Sequence, residues 1–408
     1  KLIVPNLNSP IRKLTDTWQG NSENGKKMLV GQTNPKTSLD FNKFHFLRDL
    51  KSEGSIRARS IARTLVEGWI DEDYNLLSKE YSVEAMVSRI TTWSFNYSWF
   101  AESGQTSFKK KLLYSIALQC KYLEIKLLET NNHIKTIIII KGIIVGKSIL
   151  YQETDYILNL LQLLDKQLQF LLNQDGGHKS RSPVLQIELL RHLIETRSVV
   201  AILKNIDAIN LHKQTLKMGE FCRSFQMPNE YFSWFHGGSL VPKNTIKQTL
   251  DRIGYKNKTF EIAYDTGFCR MSNINSLVFV DIGSKSNTSN DSKASLFAFE
   301  FFYHKQKIIS NLGEFTNSSL RHAKNSLASS AAHSTLNIDD RNNIDLLGKR
   351  KTKVLNIKYD KIENGNLLDI MHSGYEEIYG VHHRRQIFLS QKKSELRGRD
   401  EIINIENI

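Results

Sequence analysis

The hydrophobic pattern changes period once along the chain, and that change limits the folds open to it. From about Phe41 to Lys217 apolar residues recur at three- and four-residue spacing, the mark of amphipathic helices. Over residues 153–172 the spacing predicts a helix, with Ile157, Leu160, Leu161, Leu164, Leu168 and Leu171 on one stripe. Residues 184–203 repeat the pattern after Pro183, which suits the first turn of a helix and follows Ser182. The most apolar run, 137–145, is broken by Lys141 and Gly142 and flanked by Lys135 and Lys147. It is too short and too charged to span a bilayer and reads as a buried helix. After Gly219 the pattern shortens. Residues 260–264, 276–281 and 295–303 are rich in β-branched and aromatic side chains, and 307–310, 334–338, 353–359 and 386–389 are further strand candidates. Turn formers over 283–290 and a Ser- and Asn-rich stretch over 317–330 read as loops. The expected class is therefore α+β and multidomain. A helical domain of α-hairpins over 1–217 precedes an antiparallel β-sandwich over 218–408, the boundary falling between Lys213 and Asn229.

Composition narrows the partners. The 408 residues carry 56 Lys+Arg against 42 Asp+Glu, a formal charge of +14. Such an excess favours polyanions, whether nucleic acid, anionic polysaccharide or an anionic membrane surface. A genome-wide bias toward Lys, Asn and Ile would produce the same number, so charge alone selects none of them. No helix-turn-helix, zinc-finger or aromatic-platform pattern supports nucleic acid. Cys120, Cys222 and Cys269 are scattered, which argues against a disulfide framework and a cysteine-built zinc site. The chain opens Lys-Leu-Ile-Val-Pro, without the apolar core of a signal peptide.

Three places carry candidate chemistry. Asn132-His133 precedes the apolar run and, taken alone, reads as a helix cap with a neighbouring imidazole. His333 stands before a strand candidate, where an imidazole can simply satisfy a loop carbonyl. His372-Ser-Gly-Tyr375 and Gly380-Val-His-His383-Arg384-Arg385 gather residues that suit an anion site, a metal site or a basic edge strand.

Four stretches, taken in order, resemble the heparinase II/III family of polysaccharide lyases. They are Arg57-Ala-Arg-Ser-Ile-Ala-Arg-Thr-Leu-Val-Glu-Gly-Trp69; Asn131-Asn132-His133; Asp175-Gly-Gly-His178 with Arg181-Ser-Pro183; and Ala332-His333-Ser-Thr-Leu336 followed by the two C-terminal motifs above. The resemblance implies an (α/α) toroid packed on a β-sandwich with a cleft between them. It also implies β-elimination at a uronate of an acidic polysaccharide. In that chemistry hydrogen-bond donors neutralise the carboxylate, a base takes the C5 proton and an acid protonates the departing O4. By resemblance Asn132 and His133 neutralise the carboxylate, and His333 is base or acid. His178, Arg181, Tyr375, His383 and Arg385 are the expected substrate-binding residues. Leu185 stands where many such lyases carry a catalytic tyrosine, so a glycan-binding protein without turnover is the alternative. Lys293 stands near the place of a family histidine, so no metal is assigned and no cofactor is expected. The resemblance places the protein in the periplasm or cell envelope. It also implies further residues at the C-terminal end, because Leu396-Arg-Gly-Arg-Asp400 looks like a mid-sandwich strand, and the lack of an initiator Met leads to the same expectation at the N-terminal end.

Overall fold

A computed structural model describes residues 8–72, 82–238, 240–254, 258–283, 293–313, 326–347 and 350–407. Most of the loop expected over 283–290, and the 317–325 portion of the Ser- and Asn-rich loop, lie outside these residues. The chain divides into two compact units. One comprises residues 1–170 with 191–213, and the other 171–190 with 214–408.

The first unit is helical. Its helices are α1 (Ser22–Leu29), α2 (Phe46–Glu53), α3 (Ile56–Glu72), α4 (Val83–Phe100), α5 (Thr106–Glu129), α6 (His133–Leu150) and most of α7 (Thr154–Leu171). Two more, α8 (Pro183–Val200) and α9 (Ile209–Ser224), each belong in part to both units. The expected helices lie where the periodicity places them, and Pro183 is the first residue of α8. Helix α6 is apolar on every side, so it can be stable only at the centre of a bundle. Every residue from Thr136 to Leu150 is buried. Gly146 allows α5 to come close, since a Cβ there would lie 2.2 Å from Cys120 Sγ. Lys141 interrupts this apolar helix and needs a partner. Its Nζ lies 2.6 Å from Glu195 Oε2, with both side chains under 8% exposed. Glu195 Oε1 in turn accepts from Trp18 Nε1 at 2.7 Å and from Arg48 Nη2 at 3.4 Å, and Arg48 also holds Asp16.

The second unit contains α10 (Lys243–Ile253) and two antiparallel sheets. One sheet runs β1 (Ile262–Ala263), β2 (Phe268–Ser272), β3 (Ser276–Asp281), β4 (Phe299–Tyr303), β5 (Gln306–Ile309) in sequence order. The other runs β6 (Val354–Ile362), β7 (Gly365–Tyr375), β8 (Val381–Ser390), β9 (Leu396–Asn404). Register brings Cys269 opposite Val280 and Leu368 opposite Ile387. The inward residues of both sheets form one core, with Met271, Val278 and Val280 from the first and Leu368, Ile370 and Leu389 from the second. That shared layer is a β-sandwich. Residues 334–338, expected as a strand, are not one. The Ser334 hydroxyl donates to Phe299 O and accepts from Phe299 N, and Thr335 Oγ1 donates to Leu296 O. Side-chain hydroxyls thus take the backbone groups that a ladder would have used.

Candidate functional site

In the first unit Asn132 is the N-cap of α6. Its Oδ1 accepts from Lys135 N at 2.9 Å, the contact that starts the helix there. His133 is half-buried, bonds Gln167 Oε1 through Nδ1 at 2.6 Å and stacks on Phe170 with ring centroids 4.6 Å apart. The glutamine oxygen can only accept, so Nδ1 carries a proton. Asn132 also lines an open pocket of about 870 Å³ with Tyr122, Lys126, Glu129 and Lys135. Its walls offer amines, carboxylates and a phenol to a polar ligand.

In the second unit His333 is 8% exposed, and neither ring nitrogen makes a hydrogen bond among the described residues. Burial, with Lys293 next in weight, pushes its pKa down to about 4, while Asp281 and the Leu327 backbone pull the other way. The ring is therefore a neutral imidazole, with the Leu327 backbone as its nearest hydrogen-bonding neighbour. Nearby, Asp281 ends the wholly buried strand β3. It receives Arg181 Nη2, His236 Nε2 at 2.8 Å, Ser295 Oγ at 2.9 Å and Gly283 N at 3.2 Å. Burial raises the Asp281 pKa, but Arg181 and His236 outweigh it and bring it to about 2, so the carboxylate is ionised.

Several expected substrate-binding residues are occupied inside the protein. Arg181 is 1% exposed, sits over the Phe268 ring and donates to Thr266 O, Gly283 O and Gly267 O as well as Asp281. Its guanidinium has four of five N–H groups committed, leaving no fork for a ligand. It also adopts the left-handed backbone (φ 63°) that a non-glycine residue holds only when its surroundings require it. Tyr375 is fully buried and donates to Leu336 O at 2.8 Å. Arg385 grips both oxygens of Asp400 and the carbonyls of Phe297 and Ser334, so it fixes the residue next to His333.

His383 belongs to a chain of bonds that settles its tautomer. Gly374 N donates to His372 Nδ1 at 2.9 Å, so His372 is protonated on Nε2 and donates to His383 Nδ1 at 3.1 Å. His383 then donates from Nε2 to Asp400 Oδ1 at 2.7 Å. Every nitrogen is used, with both rings neutral, and this chain is a fastening between β7, β8 and β9. His178 differs. Its Nδ1 accepts from Ser180 N at 3.0 Å, while its buried Nε2 has no partner. Burial, reinforced by Lys179, pushes its pKa down to about 4.

His236 and Asp281 are the site residues that sequence reasoning missed. The available signals were a carboxylate closing an otherwise apolar strand and a His-Gly-Gly after the aromatic run 231–235. Among the described residues no three His, Cys, Asp or Glu side chains converge as metal ligands, and no helix is long and apolar enough to cross a membrane.

Comparison with known proteins agrees with this architecture. Residues 256–406 match the family model described as heparinase II/III-like, C-terminal. Heparan sulfate lyase HepC from Pedobacter heparinus superposes with a TM-score of 0.67 at 15% identity, covering 96% of this chain and 70% of that one. A heparinase III structure gives 0.69 at 14% identity, with coverages of 99% and 73%. At these identities the likeness establishes the fold, a helical toroid followed by a β-sandwich. A curated relative, FtsZ-localized protein C from Caulobacter vibrioides, is 26% identical over 256 residues. That stretch is 59% of this chain and 44% of the relative's length.

Proposed function

From the premise of a heparinase II/III-like C-terminal domain on a heparinase III fold, we propose that this chain is a polysaccharide lyase that cleaves an anionic, uronate-containing glycan by β-elimination. The observation that carries this is His333, a buried neutral imidazole with no side-chain partner on either nitrogen, beside Lys293 and the His236–Asp281 pair. A neutral imidazole is a proton acceptor suited to the C5 hydrogen. The charge of +14 favours collection of a polyanion. The proposed location is the periplasm or cell envelope. The His333 nitrogens are shielded from solvent in the free chain, so catalysis requires that a bound glycan uncover them. The test incubates the full chain with alginate, heparan sulfate and chondroitin and follows absorbance of the new C4=C5 bond. Turnover that His333→Ala lowers about 100-fold or more supports the proposal. Silence on every uronate polymer sinks it.

Leu185 favours a second function, glycan binding without turnover at the cell envelope, because an alkyl side chain cannot transfer a proton. It predicts saturable polyanion binding that weakens with salt and leaves no unsaturated ends. Turnover abolished by His333→Ala would exclude it.

A further inference from the structure

The corner around Asp281 holds a second imidazole that the role given to His333 does not use. His236 is 1% exposed and adopts a left-handed backbone (φ 37°). Its Nε2 donates to Asp281 Oδ2 at 2.8 Å, and its Nδ1 has no partner. Arg181, Ser295 and Gly283 hold Asp281 from its other sides, so the ring it orients cannot easily turn. One charged set acts on the two rings. His333 is faced by Lys293, Asp281 and His236, and His236 by Arg181, Asp281 and Lys293.

A carboxylate that binds one nitrogen of an imidazole and leaves the other unbonded is the arrangement that lets the ring carry a proton. Elimination in this chain lacks one such carrier, because Leu185 replaces the tyrosine that the resemblance implies. We propose that His236, backed by Asp281, is the acid that protonates the departing O4 from Nδ1, while His333 takes the C5 proton. This rests on the lyase function proposed above. The direct contacts of the two rings differ. Lys293 stands first among the charges on His333 and favours its neutral, accepting form. Asp281 contacts His236 directly and favours its charged, donating form, against burial and Arg181, which together hold its pKa below the ordinary value.

The step balances. The C5–H bond breaks and its proton passes to His333, while the electron pair of that bond becomes the second bond of C4=C5. The C4–O4 bond breaks with its pair on oxygen, which takes the proton from His236 Nδ1. Water then carries a proton from His333 back to His236, and nothing else is consumed.

The experiment compares two substrates with the full chain. One is the responding uronate polymer, and the other a synthetic uronate with a nitrophenolate at C4, which departs without an acid. His236→Gln is expected to lower kcat about 100-fold or more on the polymer and by less than about threefold on the nitrophenolate. His333→Ala lowers both. Unchanged kcat on the polymer, or equal losses on the two substrates, overturns the inference. The unmutated protein supplies a check that does not depend on how the variant folds. Its kcat/KM should fall on the alkaline side with a midpoint below the ordinary histidine value, in line with the lowered pKa of His236, and a limb at about 10, the tyrosine range, overturns the assignment. Silence of the unmutated protein on both substrates removes the lyase function and this role together. Polymer turnover indifferent to His236→Gln removes this role alone.

Discussion

Glu195 in the first unit and Asp281 in the second are buried carboxylates that meet similar company and use it differently. Glu195 is bound by Lys141, Arg48 and the Trp18 indole, donors that satisfy it. Asp281 is bound by Arg181, Ser295 and an imidazole, and the imidazole brings a second nitrogen that remains without a partner. A cation used to neutralise a buried carboxylate contributes structure. A histidine used for the same purpose also exposes a proton-carrying atom to whatever lies beyond it. The first corner has the character of a strut, and the second keeps one imidazole nitrogen free of it.

The largest expected effect comes from dismantling the strut. Glu195→Gln leaves Lys141 and Arg48 charged in an apolar interior, and should cost about 3–5 kcal/mol in urea unfolding. A loss below about 1 kcal/mol would mean that water already reaches these cations. Arg181→Met should cost less, about 2–3 kcal/mol, because His236 and Ser295 still hold Asp281. If the two losses are equal, the distinction between the corners fails.

Acid should act on the second corner through its histidines. In the folded chain the His333 pKa lies at about 4, below the ordinary value of 6.5. Between those values the unfolded chain holds a proton that the folded one does not. Stability therefore falls as pH drops from about 6.5 to about 4 and takes no further loss from His333 below that. His178 and, in the first unit, His45 shift the same way. His333→Asn should flatten part of the slope in a series of urea midpoints, and an unchanged slope would show that folding leaves the titration of this ring unaltered. The smallest change is Tyr375→Phe, which removes one hydrogen bond to Leu336 O. It should cost about 1 kcal/mol and leave glycan turnover intact. Lost turnover with unchanged stability would return Tyr375 to the substrate.

The helices were legible because burial on one side writes itself into the spacing of Ile157, Leu160, Leu161, Leu164 and Leu168. The strand β3 was legible by composition. Residues 334–338 were not, because the decisive events there are hydroxyl bonds to a strand more than 30 residues away. The same limit applied to the site. His333 stood out in the sequence, and so did Arg181, His383 and Arg385, since all are residue types that bind anions. A guanidinium has the same fork whether the carboxylate belongs to a sugar or to Asp281 or Asp400. Which of these anions it meets depends on a chain path of 100 residues in one case and 15 in the other.

The turn at Asp175-Gly176-Gly177 carries a consequence for how this molecule can be divided. Asp175 accepts from the backbone N and the hydroxyl of Thr266, at 2.8 and 2.5 Å. A Cβ on Gly177 would lie 2.1 Å from that hydroxyl. The turn is thus riveted to the start of the sandwich, and Arg181, a few residues on, supplies the cation for Asp281. The stretch matched by the family model begins at residue 256. Its electrostatic balance depends on a side chain 75 residues earlier in the chain. A fragment cut at the inherited module boundary would carry Asp281 without its counter-ion. Here the unit that evolution copies and the unit that physics holds together have different edges.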